Sequence, residues 1–524
     1  MIQLTNDQQT MIGRLLSQMT LAEKIGQLHL ESPSIVGGFE VPFAELIEMV
    51  TDGRLSKEDF RQMMASSAQD FHEGDIRQGM IGAMMVQDPR KVNELQRIAV
   101  EESRLGIPLL IGFDVIHGLR SVYPIAIAEA CSFDDDLFAR TASMAAKESR
   151  AHGINWNFAP MLDVARDARW GRVSEGPGED PYLGARFARA KVRGLQNDRS
   201  GTQNYVAACL KHYAAYGACE AGRDYNTVSM APSLLHNVYL QPFREAVAEG
   251  AVSLMAAFND LSGIPCTVNS FLLDEILRKT YGFQGFVVSD ANAIKECVVH
   301  GIAADDYEAG VMALKAGLDM DMGTCVYKNN LIDAVSRQEI DLSVLDRAVR
   351  RVLTVKAWLG LFDNPYVSED VIAQNDRLAE SHVALTLEAA LKSAVLLKND
   401  SQVLPLGRKT RISLVGDLAD KKDEIIGAWA LSYQSADCVT ILSGLRQAGA
   451  NVGYFPCGGP SGELSEEEIG RACRDGDVIV AVVGELVSMS GEAASRARIG
   501  LPGRQRERSE ERRVGKECRY PWSP

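Results

Sequence analysis

Gly285-Phe286-Val287-Val288-Ser289-Asp290 reads as a short buried strand that stops abruptly on a carboxylate. Working outward, the same pattern recurs. Apolar runs of strand length cover Met80–Val86, Pro108–Phe113, Ile154–Ala159, Val206–Leu210, Val252–Phe258 and Gly317–Met320. The spacing leaves room for a helix between successive runs, so the chain alternates strand and helix as a parallel α/β barrel or an open doubly wound sheet does. Polar residues decide between them. Asp114, Asp163, Lys211-His212, Asn259, Asp290 and Asp321 each follow an apolar run. In a barrel all such strand ends converge on one mouth and carry the chemistry, whereas an open sheet concentrates them at one switch point. The expected fold is therefore a (β/α)8-type barrel.

The chain has 524 residues, 46% hydrophobic and 24% charged, with a net charge of −15 from 55 basic and 70 acidic residues. This composition excludes wholesale disorder, collagen and coiled coil. The acidic balance argues against a nucleic-acid partner, and no apolar run reaches the roughly 20 residues of a membrane helix. The polar start shows no secretory signal pattern. Ten cysteines are scattered without a CxxC pair, which suggests free thiols in a reducing, cytoplasmic setting. Residues 1–75 look mostly helical, with Thr20 and Glu23 spaced as a capping box.

The barrel is expected over 1–365, a linker over 366–385, and a second α/β unit over 386–507. Strands of that second unit are expected at Ala394–Leu397, Ile412–Val415, Val439–Leu442 and Val478–Val483. Gly416-Asp417 follows a strand, but no GxGxxG or GxxxxGK accompanies it, so nucleotide binding has little support.

At the expected mouth lie Asp114, Arg172, Lys211, His212 and Asp290, two carboxylates and three basic groups without metal-ligand spacing. Both signs of charge together suit a neutral polyhydroxylated ligand, since hydroxyls both donate to carboxylates and accept from cations. The alternative is structural ion pairing at strand ends.

Several strings carry a family resemblance: Ile111-Gly112-Phe113-Asp114 with His117-Gly118, Arg169-Trp170-Gly171-Arg172, Gly178-Glu179-Asp180-Pro181, Leu210-Lys211-His212-Tyr213 and Val287-Val288-Ser289-Asp290. Ala394–Asn399 and Leu501–Gln505 add to them in the second unit. On these the chain resembles glycoside hydrolase family three, the β-glucosidase family, from about residue 15 to about 507. The resemblance implies a retaining double displacement at terminal β-glucosyl residues, with no cofactor or metal and a small β-glucoside or oligosaccharide as the partner. Asp290 stands at the family's nucleophile position. Glu492, in Ser488–Arg496, best fits the acid/base that a second-domain loop brings over the barrel, with Glu485 as its rival. Asp114, Arg172, Lys211 and His212 match sugar-binding positions, and Arg223 is a further candidate.

Two departures bear on specificity. Ala291 follows the nucleophile position where many members have an aromatic or His, and Phe258 stands where many have Tyr. A stacking aromatic is then expected from Trp170 or Tyr213. Within the family, β-xylosidase, arabinosidase and β-N-acetylglucosaminidase are the alternatives. The last fits poorly, because Lys211–Gly217 lacks that branch's His loop. A sugar-binding fragment without activity is the alternative of another class. Finally, 508–524 has five basic and three acidic residues, no apolar stripe, and a likeness to a translated library adapter. It is expected to lie outside the fold, leaving the second unit incomplete.

Overall fold

The computed structural model describes residues 2–32, 54, 72–196, 204–374, 379–458 and 465–506. The tail 508–524 and much of 33–71 lie outside the described residues. Eight parallel strands follow one another around a sheet: β1 His29–Glu31, β2 Ala83–Met85, β3 Leu110–Phe113, β4 Trp156–Asn157, β5 Ala207–Tyr213, β6 Ser253–Ala256, β7 Phe286–Val288 and β8 Asp321–Met322. β8 also pairs with β1, and Met320 bridges Val288, so the sheet closes on itself. This is the expected (β/α)8-type barrel.

Its interior is packed. Trp156, Phe158 and Phe286 are almost wholly buried, and the Trp156 ring meets the other two edge-on at 4.8 and 5.0 Å. Gly112 makes room for them, since a Cβ there would lie 2.4 Å from the Phe158 ring. The Trp156 indole donates to Ser253 Oγ (2.8 Å), which satisfies its one polar atom.

The apolar runs located seven of the eight strands to within a few residues. The exception is β1: His29-Leu30-Glu31 alternates polar and apolar, yet all three residues are buried. The barrel's last strand begins at Asp321, just past the expected run Gly317–Met320. The Thr20–Glu23 capping box is present, with Glu23 also holding Arg104.

A second, three-stranded parallel sheet has β9 Arg411–Val415 at its centre, flanked by β10 Asn451–Phe455 and β11 Val478–Ala481. Two expected strands are not strands. Val439–Leu442 opens a helix instead, because the Thr440 side chain caps Ile441–Gln447 by accepting from Ser443 N. Ala394–Leu397 is extended but unpaired, with Leu397 91% exposed. β10 escaped notice because Gly453 interrupts its apolar run.

The described part of the 366–385 stretch is anchored to the barrel. Val367 exchanges hydrogen bonds with the Asn93 side chain, and His382 pairs with Glu148 at 2.7 Å. The helix Glu380–Ser393 continues along the barrel through Arg140–Glu388 and Lys392–Asp134 ion pairs.

Lys356 provides a pH test of the core. It is fully buried on the helix Leu342–Trp358, its ammonium donating to Gln27 Oε1 at 2.7 Å, and burial lowers its pKa to about 7. An unfolded lysine keeps a pKa near 10.4, so between about 7 and 10 the unfolded chain binds the extra proton and stability rises with pH. Lys356→Met should flatten that rise in urea unfolding at pH 7 and 9. An unchanged difference between the two pH values would show that Lys356 is charged in the fold.

Candidate active site

The C-terminal ends of β3, β5 and β7 bring Asp114, Lys211-His212 and Asp290 to one mouth, and the turn after Trp170 adds Arg172. Lys211 Nζ lies 2.6 Å from Asp114 Oδ1. Burial acts to lower the Lys211 pKa, but Asp114, Glu175 and Asp290 outweigh it and the net direction is up. The ammonium therefore stays charged beneath the mouth.

Arg172 is the hub. Its guanidinium is 1% exposed, forks onto Glu175 at 2.9 and 3.0 Å, donates to His212 Nε2 at 3.0 Å and approaches Glu492 at 3.4 Å. Burial works against its charge, yet Glu175 and Glu492 hold its pKa well above the usual value. His212 Nδ1 donates to Asp163 at 2.8 Å, which leaves Nε2 as the acceptor of the arginine. Burial and the Arg172 and Lys211 charges drive His212 well below its ordinary pKa, so it is a neutral imidazole in that tautomer. Burial also pushes the Asp163 carboxyl up to about 7.

Asp290 is 7% exposed. Oδ1 accepts from Ala291 N at 2.8 Å, while Oδ2 has no hydrogen-bond partner among the described residues and lies 3.6 Å from His212 Nε2. Burial and the Glu492 charge push this carboxyl well above the usual range, against Arg172 and Lys211.

Glu492 comes from the second unit. Its loop docks on the barrel through main-chain bonds: Gly491 N to Gly171 O, Gly171 N to Ala494 O (both 2.8 Å) and Arg496 N to Arg169 O (2.9 Å). Asp224 seals the joint, accepting from Trp170 Nε1, Tyr216 Oη and Ala493 N at 2.8, 2.6 and 2.7 Å. Its own N–H donates to Ser495 Oγ at 3.0 Å. The Glu492 carboxylate then accepts from Tyr225 Oη at 2.8 Å.

Glu485, the rival, is 40% exposed and pairs with Arg496. Arg223 is exposed, and among the described residues its side chain has no hydrogen bond or ion pair with the cluster. Trp170 and Tyr213 are buried with their polar atoms engaged by Asp224 and Leu272 O, so neither offers a free ring face. Another aromatic ring reaches the cluster, that of Trp429: its loop docks through Ala428 O on His117 (2.6 Å), and the ring lies 5.2 Å from Lys211 Nζ. Tyr225, Trp429, Asp224 and Glu175 were not foreseen as site residues. On the helix Ala293–Val299 after β7, burial and the Glu492 charge push the Glu296 carboxyl up to about 7, against an Asn292 hydrogen bond.

Fold and cluster together define a barrel protein with a mixed acidic and basic pocket at its C-terminal mouth, lidded by a second α/β unit. Residues 20–355 match the glycosyl hydrolase family 3 N terminal domain and residues 394–512 the C-terminal domain of that family. The chain belongs to glycosyl hydrolase family 3. It is 37% identical to a periplasmic beta-glucosidase of Salmonella typhimurium, over 94% of this chain and 64% of that protein. It is 35% identical to a beta-xylosidase of Formosa agariphila, over 80% of this chain and 62% of that protein. The chain thus spans less than two thirds of the length of these relatives. The structure of a Listeria innocua beta-glucosidase in complex with glucose superposes with a TM-score of 0.83 at 35% identity, covering 95% of this chain and 67% of that one.

Gly171 permits the loop to dock, because a Cβ there would sit 2.3 Å from Ala494 O and 2.6 Å from Gly491 O. Gly171→Val should therefore expose Arg496 and Arg498 to trypsin while the barrel resists digestion. Cleavage at the unaltered rate would mean that the loop is held by other contacts.

Proposed function

We propose that the chain is a retaining, exo-acting β-glycosidase that releases terminal β-D-glucosyl residues, with Asp290 as nucleophile and Glu492 as acid/base. The reading rests above all on Asp290. One oxygen is pinned by a backbone N–H, and the other is left without a hydrogen bond at the end of a rigid strand. That is the arrangement a carboxylate nucleophile needs.

In the first half-reaction Asp290 Oδ2 bonds to the anomeric carbon as the glycosidic C–O bond breaks, and the proton of Glu492 goes to the departing oxygen. In the second, Glu492 takes a proton from water, the water oxygen bonds to the anomeric carbon, and Asp290 leaves. Asp114, Lys211 and Arg172 would hold the sugar hydroxyls. Asp114 accepts and Lys211 and Arg172 donate, while His212, whose Nε2 already accepts from Arg172, holds that guanidinium in place. Trp429 would supply the apolar ring face.

The second reading is a β-xylosidase, supported by the Formosa relative. Xylose lacks the glucose hydroxymethyl group, so a panel of nitrophenyl glycosides separates the two. Residues 1–365 and 386–507 would then be the barrel and sandwich domains. The nine free cysteines among the described residues favour a reducing compartment, although the Salmonella relative is periplasmic by name. Among the described residues no helix is long and apolar enough to cross a membrane.

Asp290→Asn should lose kcat by several orders of magnitude with unchanged folding. A residual rate within about tenfold of the parent would remove Asp290 from this role. Glu492→Ala should slow poor leaving groups far more than activated aryl glycosides, and azide should restore turnover of the latter, because a small anion needs no general base. Equal losses without rescue would point to another acid.

A further inference from the structure

The barrel closes where its first strand meets its last, and that seam carries a donor cluster the proposed chemistry does not use. β1 contributes His29 and Glu31, and the turn after β8 contributes Cys325, 296 residues away from His29 in the chain. His29 Nε2 lies 3.0 Å from Glu31 Oε2 and 4.0 Å from Cys325 Sγ, and one donor atom from each residue lies within 4.8 Å of the other two. His29 and Glu31 are 0% and 2% exposed. Three further polar atoms in this stretch, His29 Nδ1, Glu31 Oε1 and Ser32 Oγ, are buried without a hydrogen-bond partner among the described residues. Buried polar atoms left unsatisfied in this number call for an explanation.

We propose that His29, Glu31 and Cys325 form a structural site for a divalent transition-metal ion, with Zn2+ the best match. Imidazole, carboxylate and thiolate together suit zinc. Ligand–zinc distances of about 2.0–2.3 Å put tetrahedral ligand atoms roughly 3.3–3.8 Å apart, and the separations observed here straddle that range. Binding would displace the thiol proton, and any imidazole proton, to solvent. The ion would staple residue 29 to residue 325 across the seam, where the sheet is held by short pairings such as Asp321 N to Leu28 O and Gly323 N to Leu30 O. Its role is to hold the barrel closed, and it takes no part in the proposed steps of glycoside cleavage.

The test uses full-length protein without a histidine tag, dialysed against chelator. Zn2+ should bind with one-to-one stoichiometry in calorimetry and raise Tm, because only the closed seam presents all three ligands. Co2+ should give a thiolate-to-metal charge-transfer band in the near ultraviolet. Cys325→Ser should abolish that band and weaken Zn2+ binding roughly tenfold or more, and His29→Gln should weaken it similarly. Absence of stoichiometric binding would overturn the proposal and leave the trio as a His29–Glu31 ion pair beside a thiol. A cobalt band that persists in Cys325→Ser would equally overturn it, placing the metal at another cysteine. Should Cys325→Ser fail to fold, His29→Gln decides instead: unweakened stoichiometric Zn2+ binding in that variant would overturn the proposal.

Discussion

Everything at the mouth is organised around the buried Arg172 guanidinium. Among the described residues it alone touches Glu175 on its own turn, His212 from the end of β5 and Glu492 from the second unit. A buried cation is tolerated only when several acceptors surround it, because removing its hydration is expensive. The converse also holds. Without the guanidinium, Glu175 and Glu492 would face each other across a desolvated pocket, and Glu175 already has its carboxyl raised by burial. Arg172 thereby makes the closure of the second unit over the barrel electrostatically possible, while Asp224 and the Gly171 main chain make it geometrically specific.

The same charges divide the work between the two carboxyls under the proposed reading. Asp290 is pushed up by burial and by Glu492, and is pulled down by Arg172 and Lys211. A proton on Glu492 removes one of the two upward influences, leaving both cations to favour ionised Asp290. The proposed reading thus relies on Arg172 and Lys211 to favour the ionised form of Asp290.

Much of the barrel was legible because parallel strands are buried on both faces and so read as continuous apolar runs. Their polar terminators gave Asp114, Asp163, Lys211, His212 and Asp290 directly. β1 was illegible for the opposite reason, since its buried face carries His29 and Glu31, which pair with each other rather than extending an apolar run. In the second unit Thr440 turned an apparent strand into a helix start through a single cap, a local competition that composition does not resolve. Among the site residues, Tyr225 and Trp429 had no signal of their own. Each acts through a positive-φ backbone position, 62° and 63°, that turns the chain within a loop. Arg223, two residues before Tyr225 in the same loop, is exposed.

The central claim is that Asp290 forms a covalent bond to the sugar. Incubation with an activated 2-deoxy-2-fluoro-β-glucoside should trap that intermediate, because the fluorine slows both half-reactions while the good leaving group speeds only the first. Intact mass should rise by one fluoroglucosyl unit, and the peptide carrying the label should contain Asp290. A label on another carboxylate, or turnover of the parent substrate with no label at any carboxylate, would contradict the account.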